Sequence, residues 1–400
     1  MATLTVGSGK DYSTIETALA AANASDIISI DAGTYEEYHL AYYDVGLTIK
    51  AADEVTGSVI MDGLGSTSRE YAFYSYASGA IFQHITFKNF EEYAVRRGTT
   101  AGGSMTLENC LAYGCDGPVI SAIGHDATTP VEIKDCIFIT DEDSPIVVGG
   151  NSTIHIQNSI LATNKNDEAV LMSSISYPNV TASHCTFIGR GWNGSDGRHY
   201  HLINQVAKVN NCILYGGNGH GIQADSHDHN LVYLTHVDSE EYVEFEAASW
   251  DSDSVSAGTG DLTGDPLFVT SPTQGSVTPN LNLYLQADSP AINVGSSAIT
   301  TDLSGNLRDA TPDIGPFEYI ITRFYTSYGD PHGIRHSETG LTHTVMADIA
   351  SDYRRRDPDG QTVPQPPFSL ATRGVIFRNR PVPYIVSLSG IDPDDIISDD

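Results

Sequence analysis

Short runs in which apolar and polar residues alternate recur along the first half of the chain, each broken by Asn, Asp or His and then Cys or Ser. Two clear copies are Met105-Thr106-Leu107-Glu108-Asn109-Cys110-Leu111 and Val131-Glu132-Ile133-Lys134-Asp135-Cys136-Ile137. Others occupy 154–160, 180–186 and 207–213, with a degenerate copy at 81–87. From Ile85 through Cys110, Cys136, Ser159 and Cys185 to Cys212, the steps are 25, 26, 23, 26 and 27 residues. Strict alternation marks half-buried strands, and no helical pattern lies inside the period. The repeat therefore predicts coils of three short strands, stacked at the parallel-strand spacing of about 4.8 Å. The expected fold is all-β, a right-handed parallel β-helix over 1–319.

Stacking aligns the copies. Cys110, Cys136, Ser159, Cys185 and Cys212 form an inward column, and Asn109, Asp135, Asn158, His184 and Asn211 form a neighbouring column at a bend, where side chains can satisfy backbone groups. The thiols then read as small buried fillers, free rather than disulfide-bonded, in a reducing compartment. No Cys-x-x-Cys spacing suggests metal. Near the start, Ser13-Thr14-Ile15-Glu16 has the form of a capping box, predicting a helix over about 13–22. With Ile15, Leu19 and Ala22 inward it would cover the open end of the first coil.

The stretch from Tyr12 to Lys50, with its helix, the Gly33-Thr34-Tyr35 turn and the Leu47-Thr48-Ile49-Lys50 strand, resembles the opening of pectate-lyase-like and pectin-esterase-like β-helix proteins. The far end resembles the closing segment of choice-of-anchor Q β-helix proteins, through Asp265-Pro266-Leu267-Phe268, 289–295, 302–306, Arg308 and 313–319. These resemblances imply the fold and leave the chemistry open, because lyases, hydrolases, adhesins and phage spikes share this architecture.

Charge narrows the partners. Twenty basic against 51 acidic residues give −31, which disfavours nucleic acid and anionic membrane surfaces and repels polyanionic sugars unless a cation bridges them. No apolar run reaches the roughly 18 residues needed to span a bilayer, so no membrane insertion is expected. The start alternates like a strand and has no signal-peptide pattern, pointing to synthesis in a cytoplasm.

Candidate chemistry is sparse. The most polar grouping is Asp196, Arg198, His199 and His201, followed one coil later by Asp225, His227, Asp228 and His229; on neighbouring coils these could line a cleft. His227 and His229 are also conceivable metal ligands, though turn residues are the preferred reading. Asp141-Glu142-Asp143 could hold calcium or be a solvated turn. Gly219-His220-Gly221 echoes polygalacturonases but lacks the paired carboxylates that glycoside hydrolysis requires. No catalytic, metal or cofactor residue is assigned.

From Ile320 to Asp400 the period vanishes and Pro and charge rise. Residues 320–400 are expected to form an extended arm that docks on sister subunits or a larger lattice. The combined expectation is a homotrimeric structural protein of a bacteriophage virion, capsid-decorating or tail-spike-like. It would be anchored to capsid or tail proteins through that arm and could contact a host glycan. A polysaccharide lyase or glycoside hydrolase and a bacterial surface adhesin are the alternatives.

Overall fold

The structure is a computed structural model that describes residues 1–319, except 43–45, 66–68, 76–78, 98–103, 126–129, 151, 166–169, 174–178, 190–200, 217–219, 234–243, 247–253, 256–257, 274 and 297–298. Beyond 319 it describes 324–325, 328–330, 333–335 and 338–339, and for several strands it describes the backbone alone. Contacts divide the chain into two units, Met1–Tyr319 and Ile320–Asp400.

The first unit is a right-handed parallel β-helix. Each coil contributes a strand before the bend, a strand after it, and a third strand leading to the next coil, as in Met105–Glu108, Leu111–Cys115 and Ile120–His125. Equivalent strands pair in parallel: Met105 lies opposite Val131, and Val131 opposite Ile154. The strands after the bend form a separate 10-stranded sheet, from Gly33–Tyr35 to Leu262–Thr263.

The bend explains why Asn, Asp and His recur there. His84, Asn109, Asp135, Asn158, His184 and Asn211 all have φ between 46° and 58°, the left-handed region that short polar side chains tolerate best after Gly. Their backbone amides continue the ladder without a gap, as in Asn109 N–H to the Lys134 carbonyl at 3.0 Å and Asn211 N–H to that of Asp228 at 3.2 Å. The next position is the inward column: Cys110, Cys136, Ser159, Cys185 and Cys212 are all buried, and all five cysteines are free. Ser159 Oγ accepts from Cys136 N–H at 3.2 Å, and Cys212 Sγ takes the same role for Cys185 at 3.4 Å. Asn230 extends the column, its side-chain oxygen accepting from Cys212 N–H at 3.0 Å. Burial raises the Cys136 and Cys212 thiols well above the ordinary range, so they stay protonated.

The helix spans Ile15–Ala21 and buries Ile15, Ala18 and Leu19 against the first coils. Its cap is not the predicted box. Thr14 is the N-cap, accepting from Thr17 N–H, and Glu37 accepts from the Ile15 and Glu16 amides at 2.9 and 2.8 Å. A carboxylate from outside the helix thus takes the Glu16 amide, which the box would have paired with Ser13, together with that of Ile15.

The stack also ends earlier than the sequence predicts. Its last parallel rung is Leu262–Thr263, paired with Leu231 and Val232. Residues 264–319 form a closing segment along the outside of the sheet after the bend. Phe268, Val277, Leu283, Leu285, Ala291 and Ile314 form a second apolar core with the outward Ile139, Ile160, Ala162, Ile188, Ile213, Tyr215 and Leu231. From Ile137–Thr140 to Leu231–Tyr233 that sheet is therefore buried on both faces, which is why these strands read as nearly unbroken apolar runs such as Ile213-Leu214-Tyr215.

In the second unit, Phe324–Tyr325 pairs antiparallel with Glu338–Thr339, and Tyr328–Asp330 with Gly333–Arg335. The rest of residues 320–400, expected as an extended arm, lies outside the described residues.

Candidate functional site

Of the polar grouping singled out from sequence, Asp196, Arg198 and His199 lie outside the described residues, and of His201 and Asp225 only the backbone is described. Register separates the rest. His201 sits opposite His220, whereas His227 sits opposite Val209, eight positions further along the same strand. Val209 faces the core, so His227 is turned inward and buried rather than lining an external cleft.

His227 is held by a residue the sequence did not suggest. Its Nδ1 lies 2.5 Å from Asp261 Oδ2, and both side chains are almost fully buried. Asp261 also accepts from Gly258 N–H at 2.7 Å, Asn230 N–H at 2.8 Å and Asn230 Nδ2 at 3.0 Å. Burial alone would raise this carboxyl, but His227 and the amides outweigh it and hold it below the usual carboxylate range. Gly258 is required by closeness: a Cβ there would sit 2.1 Å from the His227 carbonyl oxygen. The carboxylate has no lone pair to spare for a substrate, so the group acts as a clasp on the last coil.

His229 shows why a nearby Ser and Asp do not make a relay. Ser296 Oγ lies 3.0 Å and Asp228 Oδ1 3.4 Å away, but both address the same nitrogen, Nδ1. A nucleophile–base–carboxylate chain needs one partner on each ring nitrogen. Here Nε2 instead faces Gly260, where a Cβ would come within 2.7 Å of it.

The densest buried charge lies in the closing segment. Arg308 contacts Glu318 Oε2 at 3.2 Å, the Gly315 carbonyl at 2.9 Å and Asn158 Oδ1 at 3.1 Å. Asp302 accepts from the Asn306 and Glu318 amides, and Asp313 from those of Asn293 and Tyr319. Burial pushes Asp313 up to about 6. His184, from the bend column, lies beneath this cluster fully buried, with no hydrogen bond on either ring nitrogen among the described residues. Burial, with Arg308 adding repulsion, pulls its pKa down to about 3. Two further bend or strand amides bind the segment directly. Asn211 pairs with both backbone groups of Ser296, and Asn164 with both of Val277.

No protein-family profile and no curated protein matches the chain. Among solved structures it is similar to pectate lyase Pel9A, at 16% identity and a TM-score of 0.44 over 80% of this chain and 96% of that one. It is also similar to rice weevil pectin methyl esterase, at 11% identity and 0.40 over 64% and 86%, and to the alginate lyase AlyGC of family PL6, at 11% and 0.31 over 79% and 58%. The likeness is one of architecture. At these identities and scores nothing about activity or substrate passes to this chain.

The remaining sequence candidates are turn residues engaged locally. Asp141 accepts from Asn164 Nδ2 at 2.8 Å, and Asp143 from Ser144 N–H at 2.7 Å. Among the described residues no group of three or more His, Cys, Asp or Glu side chains is arranged to hold a metal ion. No helix among them is long and apolar enough to cross a membrane. His220, of the Gly-His-Gly motif, is described as a strand residue opposite His201 and Glu244.

Proposed function

We propose that this chain is a structural rather than catalytic solenoid: a homotrimeric virion protein of a bacteriophage, capsid-decorating or tail-spike-like, attached through residues 320–400. The observation that carries the reading is the use made of buried charge. Asp261 is engaged by His227 and backbone amides, Glu318 by Arg308 and backbone amides, and Asp302 and Asp313 by backbone amides, and all secure the last coil or the closing segment. Groups committed in this way stiffen a rod and are not available to a reacting bond. A charge of −31 further suits a protein displayed at high local density without self-association.

Light scattering on the full chain should return three times the 42.9 kDa subunit mass. Incubation with pectate, methyl-esterified pectin and alginate, with and without calcium, should release neither unsaturated uronate nor methanol. A monomeric mass, or turnover of any of these polymers, overturns the proposal.

A further inference from the structure

The third strands of the first coils carry a surface unlike the rest of the rod. On Tyr71–Ser75 and Tyr93–Arg97 the pattern puts Ala72, Phe73, Ala94 and Val95 in the core and leaves Tyr71, Tyr74, Tyr93 and Arg96 partly exposed. Register stacks them: Tyr71 lies opposite Tyr93, and Tyr74 opposite Arg96. His39 donates its amide to the Tyr71 carbonyl at 2.9 Å, continuing the column upward.

The rings are in contact, His39 with Tyr71 at 4.4 Å, Tyr71 with Tyr74 at 5.4 Å, and Tyr38 with His39 at 5.0 Å between centroids. The Arg96 guanidinium lies 5.4 Å from the Tyr74 centroid and 5.3 Å from that of Tyr93. Directly behind, Phe73 packs on Phe82 at 5.1 Å and Phe87 at 6.3 Å, so the platform stands on a rigid aromatic core and loses little entropy when a ligand docks.

From this placement we infer that the face built by Tyr38, His39, Tyr71, Tyr74, Tyr93 and Arg96 is a binding surface for a neutral polysaccharide. Rings with a polar rim offer apolar faces to the C–H sides of pyranoses and hydrogen-bonding groups to their hydroxyls. Repetition at strand spacing lets one chain be followed over several contacts. Charge selects the class of glycan. The rim carries Glu36, 3.7 Å from Arg69, and Glu70, 3.8 Å from His39, with Glu91 and Glu92 adjoining in sequence. Carboxylates thus rim the face on a protein of charge −31, and a polyuronate is repelled. The inference stands on these residues whether or not the protein belongs to a particle.

Affinity electrophoresis of the full chain in gels containing dextran, galactomannan or xyloglucan, with polygalacturonate as the anionic counterpart, tests it. Retardation by at least one neutral polymer and none by polygalacturonate is expected. The double substitution Tyr74→Ala, Tyr93→Ala should weaken that retardation at least tenfold while the far-UV circular dichroism stays unchanged. Since loss of two rings could disturb the coil, Arg96→Glu serves as a second variant and should weaken binding at least threefold at an unaltered melting temperature. Migration unaffected by all three neutral polymers, preferential retardation by polygalacturonate, or full retardation of both variants would overturn the assignment.

Discussion

Strand Val131–Lys134 and strand Ile137–Thr140 are separated by two residues, yet their outward sides meet different surroundings. Before the bend the outward positions run Thr106, Glu132, His155, Thr181, Lys208 in register, a polar ladder facing water. After the bend they run Ile139, Ile160 and Ala162, Ile188, Ile213 and Tyr215, roofed by the closing segment. Both sheets share the same stacked backbone and the same inner core. The difference shows that a solenoid coil specifies its own stacking, while a separate piece of chain decides which outer face stays dry.

The sharpest way to break the comparison is to place one residue on both faces. Ile188→Lys buries an ammonium in the apolar layer beneath the roof, and should cost about 4 kcal/mol or more or release the closing segment outright. Thr106→Lys, on the open ladder beside Glu132, should stay within about 0.5 kcal/mol. Denaturant unfolding reads both. Equal costs would mean that the roof is not seated.

Removing a charge should divide the faces in the same way. Arg308→Met leaves Asp302, Asp313 and Glu318 without their counter-ion in a site where the Arg308 and Glu318 side chains are 1% and 3% exposed, a loss of about 3–5 kcal/mol. Lys134→Met opens only the surface pair with Glu132, at 3.5 Å, and should cost under about 1 kcal/mol.

The stack itself is legible in the sequence because a period that repeats column by column leaves little freedom. Asn109, Asp135, Asn158, His184 and Asn211 could be aligned by eye, and their shared left-handed φ is the physical cause. The roof was not legible. The clue was present, since Ile160-Leu161-Ala162 is apolar where Val131-Glu132-Ile133 alternates, but it says only that something covers the strand. Asp261 was missed as the partner of His227 because 34 residues separate them. Proximity in sequence gives the polar grouping the look of a site, whereas pleating turns His227 inward and sets Asp228 beside Lys208 on the outside.

Titration probes the roof through two groups of opposite sign. His184, lowered from 6.5 to about 3, binds fewer protons folded than unfolded between those values, so stability is lost as pH falls through that window. Asp313, raised from 3.8 to about 6, binds more protons folded, so stability is lost as pH rises from 3.8 to 6. Between pH 7 and pH 4 the wild-type protein should therefore change little. His184→Asn should gain about 3 kcal/mol relative to wild type over that range, and Asp313→Asn should lose a similar amount. Melting curves at both pH values check the signs. Parallel curves for all three proteins would place these groups in contact with water.

The smallest effect is the most local. Gly adopts the left-handed bend without strain, so exchanging Asn for Gly removes the side chain and keeps the turn. At Asn109, where the described bonds are those of the backbone, Asn109→Gly should alter stability by no more than about 0.5 kcal/mol. At Asn211 the same exchange deletes two hydrogen bonds to Ser296 and strands its backbone groups under the roof, at a cost of about 1–3 kcal/mol. Hydrogen exchange distinguishes loss of the roof from loss of the stack. In Asn211→Gly the Ser296 amide should lose protection while Ile213 N–H, bonded to the Cys185 carbonyl at 2.8 Å within the ladder, keeps it. If both amides open together, the closing segment and the coils are one cooperative unit and the two faces differ only in what they touch.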